Sequence, residues 1–225
     1  MACKAIITVE GNIGAGKTTF LESLRSRLPF VKVLLEPVGE WISTKNAEGK
    51  SILQLFYEDK KRWSMTFQLY AFLSRLEDMK RLLKECENAD ATDGEPYIIL
   101  TERSVLTDRF VFAEMLHTQG FLDDLEWTLY LKWFHAYAAD VPIQGILYLS
   151  TSAATSKERI GLRGREGEDS ISADYLHALE AQHRHWVSTT TLPVLEVSTE
   201  PEVNPEETVE KVRAWLQGTF LLEGS

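Results

Sequence analysis

Residues 11–18, Gly-Asn-Ile-Gly-Ala-Gly-Lys-Thr, fit the pattern G-x-x-x-x-G-K-[ST] and constrain the chain more than any other stretch. Such a loop closes backbone N–H groups around phosphate oxygens. It needs a buried strand before it and, after it, a helix whose N-terminus favours negative charge. The flanks meet both needs. Residues 5–9 (Ala-Ile-Ile-Thr-Val) are an apolar, β-branched run of strand type, and residues 19–25 set their apolar members at helical spacing. The pattern assigns Lys17 to the outer phosphates and the Thr18 hydroxyl to Mg²⁺, so the chain is predicted to handle a nucleoside triphosphate.

Beyond the loop, strand-type and helix-type runs alternate. Residues 31–35, 97–100, 145–149 and 193–197 read as strands. Residues 63–86, 121–139, 156–165 and 174–189 read as helices, and 88–96 as a polar turn segment. A last helix opens at Asn204, with Asn as N-cap, Pro205 at the first position and Glu207 at the third. The alternation predicts an α/β fold, a five-stranded parallel sheet flanked by helices, in one domain spanning 1–225. Ligands of such sheets sit at the carboxyl ends of the strands. The loop follows strand one, Glu36 follows strand two, and Glu102-Arg103 follows strand three. Two carboxylates and an arginine beside a triphosphate suit phosphoryl transfer.

Composition narrows the partners. A net charge of −10 argues against a nucleic-acid polymer, whose phosphates call for a basic face, but not against a nucleotide. No apolar run reaches membrane-spanning length. The first strand begins close to Met1, which leaves no evident targeting segment, and Cys3 and Cys86 are too few for a disulfide framework. A cytoplasmic protein is the expectation.

The guanine-reading N-K-x-D of signalling GTPases and the S-G-G-Q signature of transport ATPases are absent. Six segments in order point elsewhere. They are residues 10–19, then Glu36-Pro37-Val38-Gly39-Glu40-Trp41, then 62–68 (Arg-Trp-Ser-Met-Thr-Phe-Gln), and Leu73-Ser74-Arg75. Glu102-Arg103-Ser104-Val105 with Asp108-Arg109 comes next, and 159–165 (Arg-Ile-Gly-Leu-Arg-Gly-Arg) closes the series. Together they resemble the deoxynucleoside kinase family, close to its deoxycytidine/deoxyguanosine/deoxyadenosine kinase branch.

The resemblance implies a division of labour. Glu36 is the general base for the 5′-hydroxyl, Glu102 helps Thr18 hold Mg²⁺, and Arg103 lies near the 5′-oxygen and the moving phosphoryl. Gly11, Asn12, Ile13, Gly14, Ala15, Gly16, Lys17, Thr18 and Thr19 bind the triphosphate of ATP or another donor. Arg159, Arg163 and Arg165 belong to an arginine-rich lid at about 156–169, closing over the phosphates; Arg159 and Arg163, four apart, share a helix face. Tyr57 and Glu168 take the 3′-hydroxyl, although Glu166 and Asp169 are neighbouring carboxylates. Gln68 can read a base edge, Arg75 and Asp108 pair beside the base, and Ala71 leaves room there. Val38, Trp41, Phe56, Phe67 and Phe112 supply apolar walls. Thymidine-preferring relatives carry apolar residues in place of the Arg–Asp pair, so deoxyadenosine, deoxyguanosine and deoxycytidine are expected as substrates, with thymidine poor.

Three alternatives stay open: a thymidylate-kinase-type nucleoside monophosphate kinase, a broad deoxynucleoside kinase accepting thymidine, and a non-catalytic nucleotide-binding scaffold. Helices 63–86 and 121–139 carry surplus aromatic and apolar residues, and by resemblance they build a homodimer through a helix bundle. Feedback inhibition by a deoxynucleoside triphosphate belongs to the same set of expectations.

Overall fold

A computed structural model describes residues 3–89, 95–138, 141–165 and 167–221. Its frame is one parallel sheet of five strands in the order β2-β3-β1-β4-β5. The strands are β1 (Cys3–Gly11), β2 (Val31–Leu34), β3 (Tyr97–Glu102), β4 (Gly145–Ser150) and β5 (Val194–Ser198). The chain crosses between parallel neighbours through helices: α1 (Lys17–Arg27), α2 (Val38–Ser43), α3 (Ile52–Glu58) and α4 (Lys60–Ala89) precede β3. Beyond it come α5 (Val105–Thr107), a π-helical turn (Asp108–Ala113), α6 (Glu114–Thr118) and α7 (Asp124–Tyr137). The remainder are α8 (Ala153–Arg163), α9 (Ala173–Thr189) and α10 (Pro205–Leu216).

Buried on both sides, the central strands read as near-continuous apolar runs, as a covered parallel sheet requires. Their two faces nevertheless have different company. Ile7 and Val9 of β1, with Leu147 and Leu149 of β4, pack against Leu21 and Leu24 of α1 and Val209 and Val212 of α10. Ile146 and Tyr148 face the other way, into the larger cluster built from α3, α4, α7 and α9. On β1 that second face carries Thr8 and Glu10, both fully buried.

The five strands and the main helices stand where the sequence predicted them, with shifted ends. α4 runs on to Ala89, so the turn segment predicted for 88–96 begins as helix; residues 90–94 lie outside the described residues. Helix 121–139 starts later, because Asp123 caps α7 by accepting from Leu125 and Glu126 N–H while Glu126 answers at the Asp123 N–H. Residue 139 lies outside the described residues, as does Glu166 of the lid. The helix expected to form the lid is α8, capped by Ser152 and closed by Gly164 in the left-handed conformation. At the last helix, Asn204 accepts from Glu206 N–H and donates to Glu207. The short α2, α3, α5 and α6 and the π turn add elements that apolar spacing did not reveal.

Candidate active site

The phosphate loop that the sequence identified follows directly from the carboxyl end of β1. Gly14 and Gly16 hold φ of 81° and 84°, the left-handed region open to glycine. Gly16 is the N-cap of α1 and offers no side chain to cap the helix, so the first-turn N–H groups are left for an anion. Lys17 is buried and curls back onto the Asn12 and Gly11 carbonyls at 2.8 and 3.2 Å. Burial and then the Arg103 charge push its ammonium down to about 7. The loop is thus short of anionic charge, which a triphosphate supplies. Asn12 and Gly11 do not face the ligand space. Asn12 ties the loop to α9 through the Leu176 carbonyl at 2.9 Å, and the Gly11 carbonyl also accepts from Arg103.

Glu102 and Thr18, the pair expected to hold Mg²⁺, stand side by side. The Thr18 hydroxyl lies 2.9 and 3.0 Å from the two Glu102 carboxylate oxygens. One hydroxyl and one carboxylate beside a phosphate loop suit Mg²⁺, which takes few protein ligands and completes its shell with phosphate and water. Among the described residues no cluster of three or more acidic, histidine or cysteine side chains could hold a metal unaided.

Arg103 is the sole non-glycine residue with positive φ among those described, at 60°. Strain of this kind, on the order of 1–3 kcal/mol, survives where surroundings over-determine it. Here the Arg103 N–H is held by the Val9 carbonyl, and its guanidinium lies 2.9 Å from both oxygens of Glu36. Arg75 donates to Glu36 from the other side and to Asp108 with its second nitrogen. Burial works to raise the Glu36 carboxyl, but Arg103, Arg75 and Lys17 outweigh it and hold Glu36 at about 2. Glu36 is therefore an ionised, oriented acceptor.

The cavity in front of Glu36 is narrow, about 150 Å³, and opens into a groove of about 790 Å³ over the phosphate loop. Val38, Trp41, Phe56, Tyr57, Phe67, Gln68, Ala71, Arg75, Asp108, Phe112 and Glu168 all line the narrow part. Its aromatic wall is packed: Phe56 stacks on Phe67 at 4.7 Å, Trp41 meets Phe67 edge-on at 5.5 Å, and Trp41 Nε1 donates to Ser74. Gln68 is 1% exposed and its Oε1 has no partner. An orphaned amide oxygen in a cavity is a costly arrangement unless a ligand donor reaches it. Asp108 Oδ2 is likewise unpartnered, and it stands at the start of the π turn that also aims Phe112 into the cavity.

Glu168 gathers the arginines expected to form a lid. It accepts from Arg163 at 2.6 Å and Arg165 at 3.1 Å, and both arginines border cavity and groove alike. Arg159 shares the groove face but donates to the Thr199 carbonyl at 2.6 Å. Leu35 and Leu53 in the cavity, and Phe20 and Val203 in the groove, were not singled out from sequence. Ser198 to Pro201, a stretch that matches the family's adenine-contacting loop only loosely, also line the groove, and only the folded chain brings them over the phosphate loop.

A phosphate loop on the central strand, an oriented carboxylate and a polar-tipped aromatic slot define a P-loop phosphotransferase acting on a small acceptor. The comparisons narrow the class. Residues 7–217 match the deoxynucleoside kinase family. The chain is 33% identical to the deoxycytidine kinase of Homo sapiens over 93% of its own length and 90% of that protein. It is 34% identical to the probable deoxycytidine kinase of fowlpox virus (85% of this chain, 77% of that one). It is 32% identical to the mitochondrial deoxyguanosine kinase of Xenopus laevis, across 84% of this chain and 75% of that one. The chain belongs to the deoxynucleoside kinase family.

Proposed function

We propose that this deoxynucleoside kinase transfers the γ-phosphoryl group of ATP to the 5′-hydroxyl of deoxyadenosine, deoxyguanosine and deoxycytidine, with thymidine a poor acceptor. One observation carries the choice of base: the buried Arg75–Asp108 pair and the unpartnered Gln68 amide line the same slot. A thymine methyl would lie against desolvated charge, whereas amino-bearing base edges supply the donors that Gln68 Oε1 and Asp108 Oδ2 lack.

In this reading Tyr57 and Glu168 take the 3′-hydroxyl and Glu36 accepts a hydrogen bond from the 5′-hydroxyl. A carboxylate held at about 2 is a weak base, which suits a loose transition state in which the proton leaves late. Arg103, already on Glu36, is placed to follow the charge onto the entering phosphoryl, and Arg159, Arg163 and Arg165 close the groove. Thr18 and Glu102 would hold Mg²⁺, which supplies charge neutralisation at the phosphates. The whole chain acts as one domain, with the lid at about 156–169.

Leu73 on α4 and Leu125, Leu129 and Tyr137 on α7 are exposed, and a second copy of the chain is the partner proposed for that face. No helix among the described residues is long and apolar enough to cross a membrane. Cys86 is a buried thiol, which suits work in the reducing cytoplasm.

The test is direct. Purified protein with Mg-ATP is given each of the four deoxynucleosides, and deoxycytidine and thymidine monophosphates, and initial rates are compared. Thymidine as best substrate would overturn the base argument. A monophosphate as best substrate would overturn the acceptor assignment.

A further inference from the structure

Glu10 is fully buried on β1, one residue before the phosphate loop, and it takes no part in the contacts described so far. Its Oε1 accepts from the Thr8 hydroxyl at 2.5 Å and from the Thr107 hydroxyl at 2.6 Å. Its Oε2 has no hydrogen-bond partner and faces His183 Nε2, also unpartnered, at 3.9 Å. His183 Nδ1 lies 2.8 Å from the Leu179 carbonyl. A carbonyl can only accept, so Nδ1 carries the hydrogen, and a neutral ring presents a bare lone pair at Nε2. Two lone-pair atoms facing each other in a dry interior call for a proton between them. The neighbouring cations Lys17 and Arg103 disfavour a proton on the imidazole; they also favour an ionised Glu10, but there burial outweighs them. Burial raises Glu10 and lowers His183, in the same sense.

Thr107 extends the network to the catalytic turn. Its hydroxyl oxygen accepts from the Ser104 N–H at 2.9 Å while it donates to Glu10. Ser104 follows Arg103, whose backbone is in the left-handed conformation and whose guanidinium holds Glu36. The turn is thus pinned on both sides, at the Val9 carbonyl before it and, through Thr107, at Glu10 after it.

We propose that Glu10 is a positioning residue for the transfer: as a neutral acid whose protonated Oε2 faces the His183 Nε2 lone pair, and whose Oε1 accepts from Thr8 and Thr107, it fixes Thr107 and so holds the turn that aims Arg103 at Glu36 and the moving phosphoryl. The inference rests on the phosphoryl-transfer reading above, which wild-type turnover tests separately. Arg103 acts on charge that develops in the transition state, so loosening its turn lowers kcat more than it raises KM.

The experiment compares wild type with Glu10→Gln, Glu10→Leu and Thr107→Val. The glutamine amide copies the neutral acid, accepting at oxygen and presenting its N–H to His183 Nε2. Glu10→Gln is expected to keep kcat within about threefold of wild type, and the other two to lose about tenfold to a hundredfold with KM for ATP little changed. Nitrogen NMR of His183 in the wild-type protein keeps the idea exposed should Glu10→Leu fail to fold. One protonated ring nitrogen, Nδ1, is expected. Wild-type kcat in Thr107→Val, equal damage in Glu10→Gln and Glu10→Leu, or two protonated ring nitrogens would each overturn it.

Discussion

Arg75 binds Asp108 through one guanidinium nitrogen and Glu36 through the other, with all three side chains under a tenth exposed. In the proposed assignment, the group that faces the base is thereby fastened to the group that faces the reacting hydroxyl. Choice of base and orientation of the acceptor would then share one buried ion network.

Removing that pair should be tolerated better whole than by halves. Arg75→Leu strands Asp108, which is 1% exposed, and breaking a buried pair costs about 3–5 kcal/mol. Arg75→Leu with Asp108→Ala leaves apolar space, and Glu36 keeps Arg103. We expect urea midpoints to rank wild type and the double variant above Arg75→Leu. The ratio of kcat/KM for thymidine over deoxycytidine should rise about tenfold or more in the double variant. An unchanged ratio would show that the pair is structural only.

Lys17 is expected to set the pH dependence of donor binding. Burial and Arg103 lower its ammonium to about 7, so above that pH the free site has lost the charge that a triphosphate requires. Bound phosphate favours the protonated form, and binding must then take up a proton. KM for ATP should climb by up to about tenfold per pH unit above about pH 7, and calorimetry in buffers of different ionisation heat should register proton uptake. A flat KM between about pH 7.5 and 8.5, where ATP is fully ionised, would contradict the assignment.

The phosphate loop, the parallel sheet and the acidic strand ends could be read from sequence because each is local. Glycine spacing, β-branched runs and the residue after a strand all lie within a few positions of one another. The ladder of Glu36, Arg75 and Asp108 was legible only as a resemblance, since its members stand 39 and 33 positions apart and meet through packing. Glu10 escaped notice because a glutamate beside a glycine loop looks solvated. The sheet position that buries it against α9 is a tertiary fact. The π turn at Asp108 was hidden for another reason: one extra residue in a helical turn leaves no signature in apolar spacing.

Gly14 couples the loop to α8, the helix proposed as the lid. A β-carbon there would collide with the Ser156 carbonyl on α8 and press on Ile160. Gly49 has the same φ of 81° with open space around it, so Gly49→Ala carries the backbone strain without the collision. Gly14→Ala should therefore destabilise by about 2 kcal/mol more than Gly49→Ala, and raise KM for ATP by about tenfold as α8 moves off with Arg159 and Arg163. Equal effects of the two substitutions on melting and KM would mean that α8 is free of the loop.

The Glu10–His183 pair should also be visible in stability against pH. His183 is held down at about 3 by burial, against 6.5 when unfolded, so alone it would lose stability as pH falls below 6.5. Burial raises Glu10 above its unfolded 4.5. With Glu10 neutral in the folded protein, as proposed, the folded pair keeps one proton while between 6.5 and 4.5 the unfolded pair keeps one on His183, and the two contributions cancel in that window. In Glu10→Gln only the histidine remains, and stability should fall from pH 6.5 downward by about 1.4 kcal/mol per unit relative to wild type. Every other titrating group is common to both proteins and drops out of the difference. Urea unfolding at several pH values across the window measures it, and parallel curves for the two proteins would remove the shared proton from the account.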